Sequence, residues 1–362
     1  MSQGHVLAIA GDPGGSRAII PVLRYLEEKQ FPFSIMNHGT LAKECPTSWS
    51  RKDVPESTSA LQEMIRQSQA EILLFGTNVK DTLPLKMARI AKQEGMTVIC
   101  LLDNWMNYRQ RLEIDGLDLF LPDQYLVMDE RARKEAIKEG IPKEYLKIVG
   151  QPALANLHEK YKLFSSNPEK SKTLKKIVFI SEPVSQDQGE NEQSLNFRGY
   201  TEKTVLKQFI ETLESLTDPI RLSVVPHPRE NIETLEKIIG NAPAHLSAVV
   251  HPAGSYSEQI FFADGVAGMA SLILYESWLL GKPVLSLQPH LTNQQLNFLE
   301  DREGAYTVTK PSKWDSILHF WYLQCGKISP PLELRSEYQN HQNAPQVAGD
   351  IIISQFHEKS KV

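Results

Sequence analysis

Short runs of continuous apolar residues alternate with stretches of helical periodicity along most of the chain. His5-Val-Leu-Ala-Ile-Ala10 reads as a strand buried on both faces, and a Gly/Pro turn then leads into Ser16–Lys29, whose apolar residues recur at helical spacing. Phe33–Met36, Glu71–Phe75, Thr97–Leu102, Gln124–Met128 and Lys147–Val149 are further strand-like runs, with helical patterns over Leu83–Gln93 and Asp129–Glu139. Strands that alternate with helices imply a parallel sheet with right-handed crossovers, and continuous apolar runs suit strands covered on both faces. Residues 158–175, HEKYKLFSSNPEKSKTLK, carry no strand signal and read as a domain linker. The pattern then restarts, with strands at Lys176–Ile180, Arg221–Val225, Ser247–Val250, Gly265–Ala267 and Pro283–Ser286 and helices at Glu202–Leu216 and Ser271–Leu280. A final helix is expected near Val347–Lys359. The predicted fold class is α/β: two Rossmann-like parallel-sheet domains facing a cleft. They span 1–157 and 176–340 about the linker 158–175, and a C-terminal helix in 341–362 is expected to pack back on the N-terminal domain.

Composition narrows the partners. A length of 362 residues suggests two domains at about 150 residues each. With 41% hydrophobic and 23% charged residues the chain is an ordinary globular one, which excludes extended disorder. A formal net charge of −5 argues against a nucleic-acid partner. No apolar run reaches the ~20 residues of a bilayer span. Three scattered cysteines, Cys45, Cys100 and Cys325, form neither a CxxC metal pattern nor a disulfide framework, so a reduced, cytoplasmic protein is expected.

In open α/β sheets ligands bind at the carboxyl ends of the strands. The first such end is Gly11-Asp-Pro-Gly-Gly-Ser-Arg17, where Gly14 and Gly15 let a ligand approach the backbone and the next helix offers free N–H groups. The turn is not GxGxxG, so a nicotinamide cofactor is disfavoured. Its plainer reading is a tight turn with Ser16 as N-cap, and Asp12 is a general base or a turn residue. Asn37-His38 follows the second strand, His38 being a structural residue or a catalyst. Asp103-Asn-Trp-Met-Asn-Tyr-Arg-Gln-Arg111 follows the third clear one. Its aromatics either stack on a sugar or base or simply pack, its arginines suit phosphate or carboxylate, and Asp103 either caps a helix or serves chemistry. Arg109, Arg111, Arg131 and Arg133 offer a basic patch for peripheral membrane contact, against the favoured reading of a solvated helix face.

In the second half Pro226-His-Pro-Arg229 closes a strand, and Arg229 beside His227 favours an anion-binding role over loop punctuation. Gly268-Met-Ala-Ser271 opens a helix that Ser271 can cap while its N–H groups face a phosphate. Glu276 lies among Leu, Ile and Trp, a costly place for a carboxylate without a partner.

The segment GMASLILYESWLLGKPVLS resembles the nucleotide-binding signature of GT-B glycosyltransferases and of the related UDP-N-acetylglucosamine 2-epimerases. GDPGGSRAIIPVLRYL resembles the first Gly-rich turn of the GT-B N-terminal domain, and PHPR resembles the His-Pro motif of bacterial sialyl-, Kdo- and glycerophosphate transferases. The Glu-x7-Glu pair of many retaining GT-B enzymes is missing, since Val284 and Gly268 stand eight residues either side of Glu276, and so is the epimerase start Gly-Thr-Arg-Pro-Glu. The resemblance implies a nucleotide-sugar glycosyltransferase whose donor is UDP-, CMP- or CDP-linked and whose acceptor is a glycan, lipid or protein. His227 and Arg229 would hold the donor phosphate with Gly268 and Ser271, Glu276 would bind ribose, and Glu182 would line the same cleft. The acceptor would sit near Gly14, Gly15, His38, Asp103, Asn107 and Arg109, with Asp103 or Asp12 as base. No Asp-x-Asp motif is present, so metal-independent chemistry without a cofactor is expected. The alternatives are a sugar-nucleotide 2-epimerase or hydrolase, and a non-catalytic binding protein of the same fold; the oligomeric state stays open.

Overall fold

The computed structural model describes residues 4–76, 79–114, 118–162, 174–216, 218–240, 242, 245–327 and 336–359. The chain divides into two units, Met1–Asn156 with Ser336–Val362, and Leu157–Arg335. The division therefore falls at 156/157 and 335/336, earlier than the 157/176 and 340/341 expected. The stretch 158–175 opens in a helix rather than a linker, and its residues 163–173 lie outside the described residues.

The first unit runs β1 (Val6–Ile9), α1 (Pro13–Glu28), β2 (Phe33–Met36), α2 (Gly39–Glu44), β3 (Arg51–Lys52), α3 (Thr58–Gln67), β4 (Ile72–Gly76), α4 (Leu83–Gln93), β5 (Thr97–Leu101), β6 (Gln124–Val127), α5 (Glu130–Lys138) and β7 (Leu146–Ile148). Its strands form one parallel sheet in the order β3-β2-β1-β4-β5-β6-β7. The second unit runs α6 (Leu157–Lys162), β8 (Lys175–Ile180), α7 (Val184–Gln188), α8 (Glu202–Glu214), β9 (Ile220–Val225), α9 (Ile232–Ile239), β10 (Leu246–Val250), α10 (Tyr256–Phe262), β11 (Gly265–Gly268), α11 (Leu272–Leu279), β12 (Val284–Leu287), β13 (Ala305–Val308) and α12 (Trp314–Gln324). Its sheet is parallel too, in the order β10-β9-β8-β11-β12-β13. The chain then returns to the first unit through α13 (Ser336–Gln342) and α14 (Ala344–Lys359), and α14 lies against α1.

Both sheets reverse strand order beside their first strand, between β1 and β4 and between β8 and β11. Such reversal points open a crevice at the carboxyl ends of the strands. The central strands β1, β4 and β5 are buried along their whole length, which is why they read as unbroken apolar runs. Each unit has its own core: Val6, Ala8, Ile72, Leu74 and Ile99 in the first, joined by Ala348, Ile352 and Phe356 of α14, and Phe179, Phe209, Leu222, Leu285 and Trp321 in the second. Tyr25 on α1 donates to Asp350 Oδ1 at 2.7 Å, and Phe356 packs on Phe31 with ring centroids 4.7 Å apart. The three cysteines are free and buried. Among the described residues no helix is long and apolar enough to cross a membrane.

Candidate functional site

At the reversal point of the first sheet, the turn after β1 is built around two close approaches. Asp12, not Ser16, is the N-cap of α1: the helix starts at Pro13, and Asp12 accepts the Gly15 N–H at 3.5 Å. Ser16 is buried inside the helix and turns its hydroxyl to Ala10 O at 3.4 Å. A side chain at Gly11 would strike Asp81 Oδ2 and come within 2.8 Å of His38 Nε2. One at Gly14 would strike Asp103 Oδ2 and lie 3.3 Å from Asp12 Oδ2. Glycine at these two positions therefore lets four polar side chains, from the ends of β1, β2, β4 and β5, crowd onto one turn.

These side chains form two groups. His38 Nε2 and Asp81 Oδ2 are 2.8 Å apart, and Asp81 Oδ1 also takes the Leu83 N–H at 3.2 Å. Asp103 Oδ1 accepts Arg111 Nη1 at 2.6 Å, and both residues are 7% exposed. Arg111 Nε donates to Met106 O at 3.2 Å. Burial works against the guanidinium's charge, but Asp103, Tyr125 and Asp12 together outweigh it and raise the group above its ordinary value. Burial, followed by the neighbouring Asp103 charge, pushes the Asp12 carboxyl up to about 6 against the opposing Arg111 charge and the Gly15 N–H. Gln151, fully buried after β7, donates Nε2 to the Asp103 carbonyl at 2.6 Å, and its own N–H goes to His341 Nδ1 of α13 at 3.0 Å.

Several expected residues take other places. Arg109 bonds Glu113 through Nε at 2.7 Å and Glu139 through its backbone N–H at 2.7 Å, at the far end of α5, so it does not join the turn. Asn107 shapes the same loop, with a φ of 58°. Trp105 and Tyr108 pack rather than stack on a ligand: they are 1% and 0% exposed, and Trp105 Nε1 donates to Asp129 Oδ2 at 2.8 Å. Asp103 pairs with Arg111 instead of capping a helix. The four-arginine patch is broken up as well, because Arg111 is buried on Asp103, Arg109 pairs with Glu113 and Arg133 with Glu130.

The second sheet places Glu182 after β8, His227 and Arg229 after the adjacent β9, and Gly268–Ser271 after β11 on the other side. Ser271 caps α11 by accepting the Ile273 N–H at 3.2 Å. The N–H groups ahead of the helix converge on Glu182: its Oε1 takes the Ala270 N–H at 2.6 Å, and the Met269 and Ser271 N–H groups favour the same charge. Burial nonetheless leaves this carboxyl above its usual range, with Arg198 opposing. His227 Nδ1 accepts the Arg229 N–H at 3.2 Å, so in that tautomer Nε2 bears the proton. Burial and then the Arg229 charge hold the imidazole below its ordinary value, as the neutral form. The Arg229 fork clamps Asp187 at 2.8 and 2.6 Å.

Beneath this edge lie carboxylates that sequence reading passed over. Glu230 accepts the His227 N–H and the Ser181 hydroxyl, each at 2.6 Å, and burial pushes it up to about 7. Glu202 takes the Ser185 N–H at 2.8 Å and its hydroxyl at 2.6 Å. Ser185, Glu202, Glu230 and Thr234 line a pocket of about 350 Å³. Glu276 is 7% exposed, and its Oε1 accepts both Lys160 Nζ and the Tyr161 hydroxyl at 3.0 Å, while Oε2 has no partner among the described residues. Burial alone would lower Lys160; Glu276 and Tyr256 together outweigh it and raise the ammonium. Among the described residues no group of three or more His, Cys, Asp or Glu is arranged to hold a metal ion.

Asp81, Gln151, Glu202, Glu230 and Lys160 were not singled out in the sequence. Asp81 also follows β4, but four residues separate it from Gly76.

The whole chain resembles solved structures of one architecture. A UDP-GlcNAc 2-epimerase from Methanocaldococcus jannaschii matches with a TM-score of 0.67 at 12% identity, over 96% of this chain and 99% of that one. The chain has the GT-B fold. MurG from Acinetobacter baumannii matches with a TM-score of 0.61 at 13% identity, over 96% and 99% of the two chains. A UDP-GlcNAc 2-epimerase from Neisseria meningitidis, bound to UDP-GlcNAc, matches with a TM-score of 0.61 at 12% identity, over 98% and 100%. No protein-family model and no curated protein matches the sequence. The two parallel-sheet domains expected from the alternating pattern are thus the fold observed, down to the Rossmann-like strand order in each.

Proposed function

We propose that the protein is a glycosyltransferase that moves a sugar from a nucleotide-activated donor to a hydroxyl of a glycan, lipid or protein. The observation that carries this reading is the mouth of α11. Backbone N–H groups at a sheet reversal point, in a fold whose solved examples include proteins bound to UDP-GlcNAc and UDP, already hold one oxyanion, the Glu182 carboxylate. In the proposed complex the donor phosphate takes those N–H groups and the His227 Nε2–H. Arg229 supplies positive charge from the same edge, and Gly268 lets β11 lie close against Ile180, where a Cβ would come within 2.7 Å of its carbonyl oxygen. Ser271 keeps the helix start in place. Glu276 Oε2 accepts a ribose hydroxyl, with Lys160 and Tyr161 fixing the other oxygen.

The leaving phosphate is then stabilised by donors set in place beforehand, a role that needs no metal. The first unit serves the acceptor. Beside its turn of Gly14 and Gly15, Asp12, Asp103 and the His38–Asp81 pair supply acid–base groups at the sheet's reversal point.

The same fold also carries epimerases, so the test is product analysis. Purified protein is incubated with UDP-, CDP- and CMP-sugars, with and without candidate acceptors, and the products are resolved by mass spectrometry and NMR. Transfer predicts free nucleotide that accumulates only, or far faster, with an acceptor. A donor epimerised at C2 without any acceptor would replace this reading with the epimerase one.

A further inference from the structure

We infer that Asp12 is the group that carries the proton in the first unit, with Asp103 as its charged partner. The inference rests on the transferase reading and names the base which that reading leaves open.

Beside Gly14 the turn holds two carboxylates, Asp12 and Asp103, and one cation between them. Asp103 has the cation: Arg111 Nη1 lies 2.6 Å from its Oδ1, and Gln151 grips its backbone carbonyl at 2.6 Å. Asp103 is therefore neutralised and held in place from two sides. Asp12 has neither support. It accepts a long backbone bond from Gly15 N at 3.5 Å, with its own backbone N–H as a further weak donor, and no side-chain hydrogen bond among the described residues. The carboxylates face one another across Gly14, where a single added carbon would collide with Asp103 Oδ2 and lie 3.3 Å from Asp12 Oδ2. The other charged groups crowding the turn are His38 from the start of α2 and Asp81 ahead of α4, and these two are bonded to each other at 2.8 Å. Two like charges this close do not both ionise freely, and the one without a counter-ion keeps the proton longer. Burial first, and then this repulsion, push Asp12 up to about 6. A carboxyl that exchanges its proton near neutral pH is matched to general base work, whereas an acid pinned by an arginine is not.

In the proposed step the Asp12 carboxylate takes the proton of the acceptor hydroxyl while that oxygen bonds to the anomeric carbon. The bond from the anomeric carbon to the phosphate oxygen breaks, and its electron pair leaves on the nucleotide. Asp103, Arg111 and Gln151 act as positioning residues: they set the charge that Asp12 feels without touching the hydroxyl.

The test is a carboxyl-carbon NMR titration of the full chain labelled at aspartate, between pH 4 and 8. The Asp12 signal is assigned by its loss in Asp12→Asn, a variant that keeps a good N-cap and therefore the helix. The expected midpoint is about 6, falling by more than one pH unit in Asp103→Asn. The rate with the sugar nucleotide found active in product analysis should show an acidic limb at the same midpoint and drop by more than 100-fold in Asp12→Asn. An Asp12 midpoint near the ordinary value of about 4, or an Asp12→Asn enzyme with full rate, would overturn the inference alone. A parent protein that turns over no sugar nucleotide would overturn the transferase reading while the measured midpoint still decided the charge assignment.

Discussion

The Glu182 carboxylate occupies the N–H groups that the proposed function assigns to a donor phosphate. On that proposal the two anions would compete, and binding would require Glu182 to swing out or to take up a proton. Glu182→Gln keeps the shape and removes the charge. It is expected to bind UDP or CMP several-fold more tightly than the parent at pH 8, measured by calorimetry, and weaker binding would show that the carboxylate helps to hold the nucleotide. Asp12 makes a second prediction, on stability. Its folded-state value of about 6 lies above the ordinary value near 4, so between those pH values the native state holds a proton that the unfolded chain has lost. Stability contributed by this group is therefore present below pH 4 and is lost as pH rises through 6. Asp12→Asn escapes that loss: urea unfolding should find it more stable than the parent by on the order of 1–2 kcal/mol at pH 8 and equal to it at pH 4. The chemistry at single residues was partly legible in the sequence. Asp12, His38 and Asp103 stood out because they follow strands. Which of them gains a charged partner was not legible, because Arg111 reaches Asp103 across a short loop that no periodicity describes.

At the level of elements, the long apolar strands and the amphipathic helices were readable, and the short or edge elements were not. β3 is two residues at a sheet edge, and β13 is an edge strand whose Ala305, Tyr306 and Thr307 are only partly buried, so neither shows an apolar run. α6 hid in a polar stretch because it is one short helix with only Leu157 and Tyr161 buried, and Lys160 and Tyr161 turn their polar tips to Glu276. That contact gives α6 a measurable function. Lys160→Ala leaves the buried carboxylate with one partner, and Tyr161→Phe removes the other bond. Each should cost about 1–3 kcal/mol in urea unfolding, and unchanged stability in both would show that Glu276 is solvated by other means. α14 is the opposite case, since its apolar positions were legible but their destination was not fixed by spacing. Ile352 is fully buried against the first unit's core, so Ile352→Ala should lower stability by about 2–5 kcal/mol.

Over the whole molecule, two sheets with the same strand logic are each covered by their own helices, and the closing helix of the chain belongs to the first unit. Identities of 12 and 13% over nearly full length show that this architecture tolerates replacement of most residues. In this chain the rhythm of buried runs and polar strand ends was the part of the sequence that could be read directly. A ligand that binds only the folded state raises its melting temperature by mass action. The most direct measurement is therefore a thermal-shift series on the full chain with UDP, GDP, CDP and CMP at millimolar concentration. A clear rise with UDP, CDP or CMP, lost in a variant that disrupts the α11 mouth such as Gly268→Val, is the predicted result; no rise with any of the four nucleotides would contradict the account.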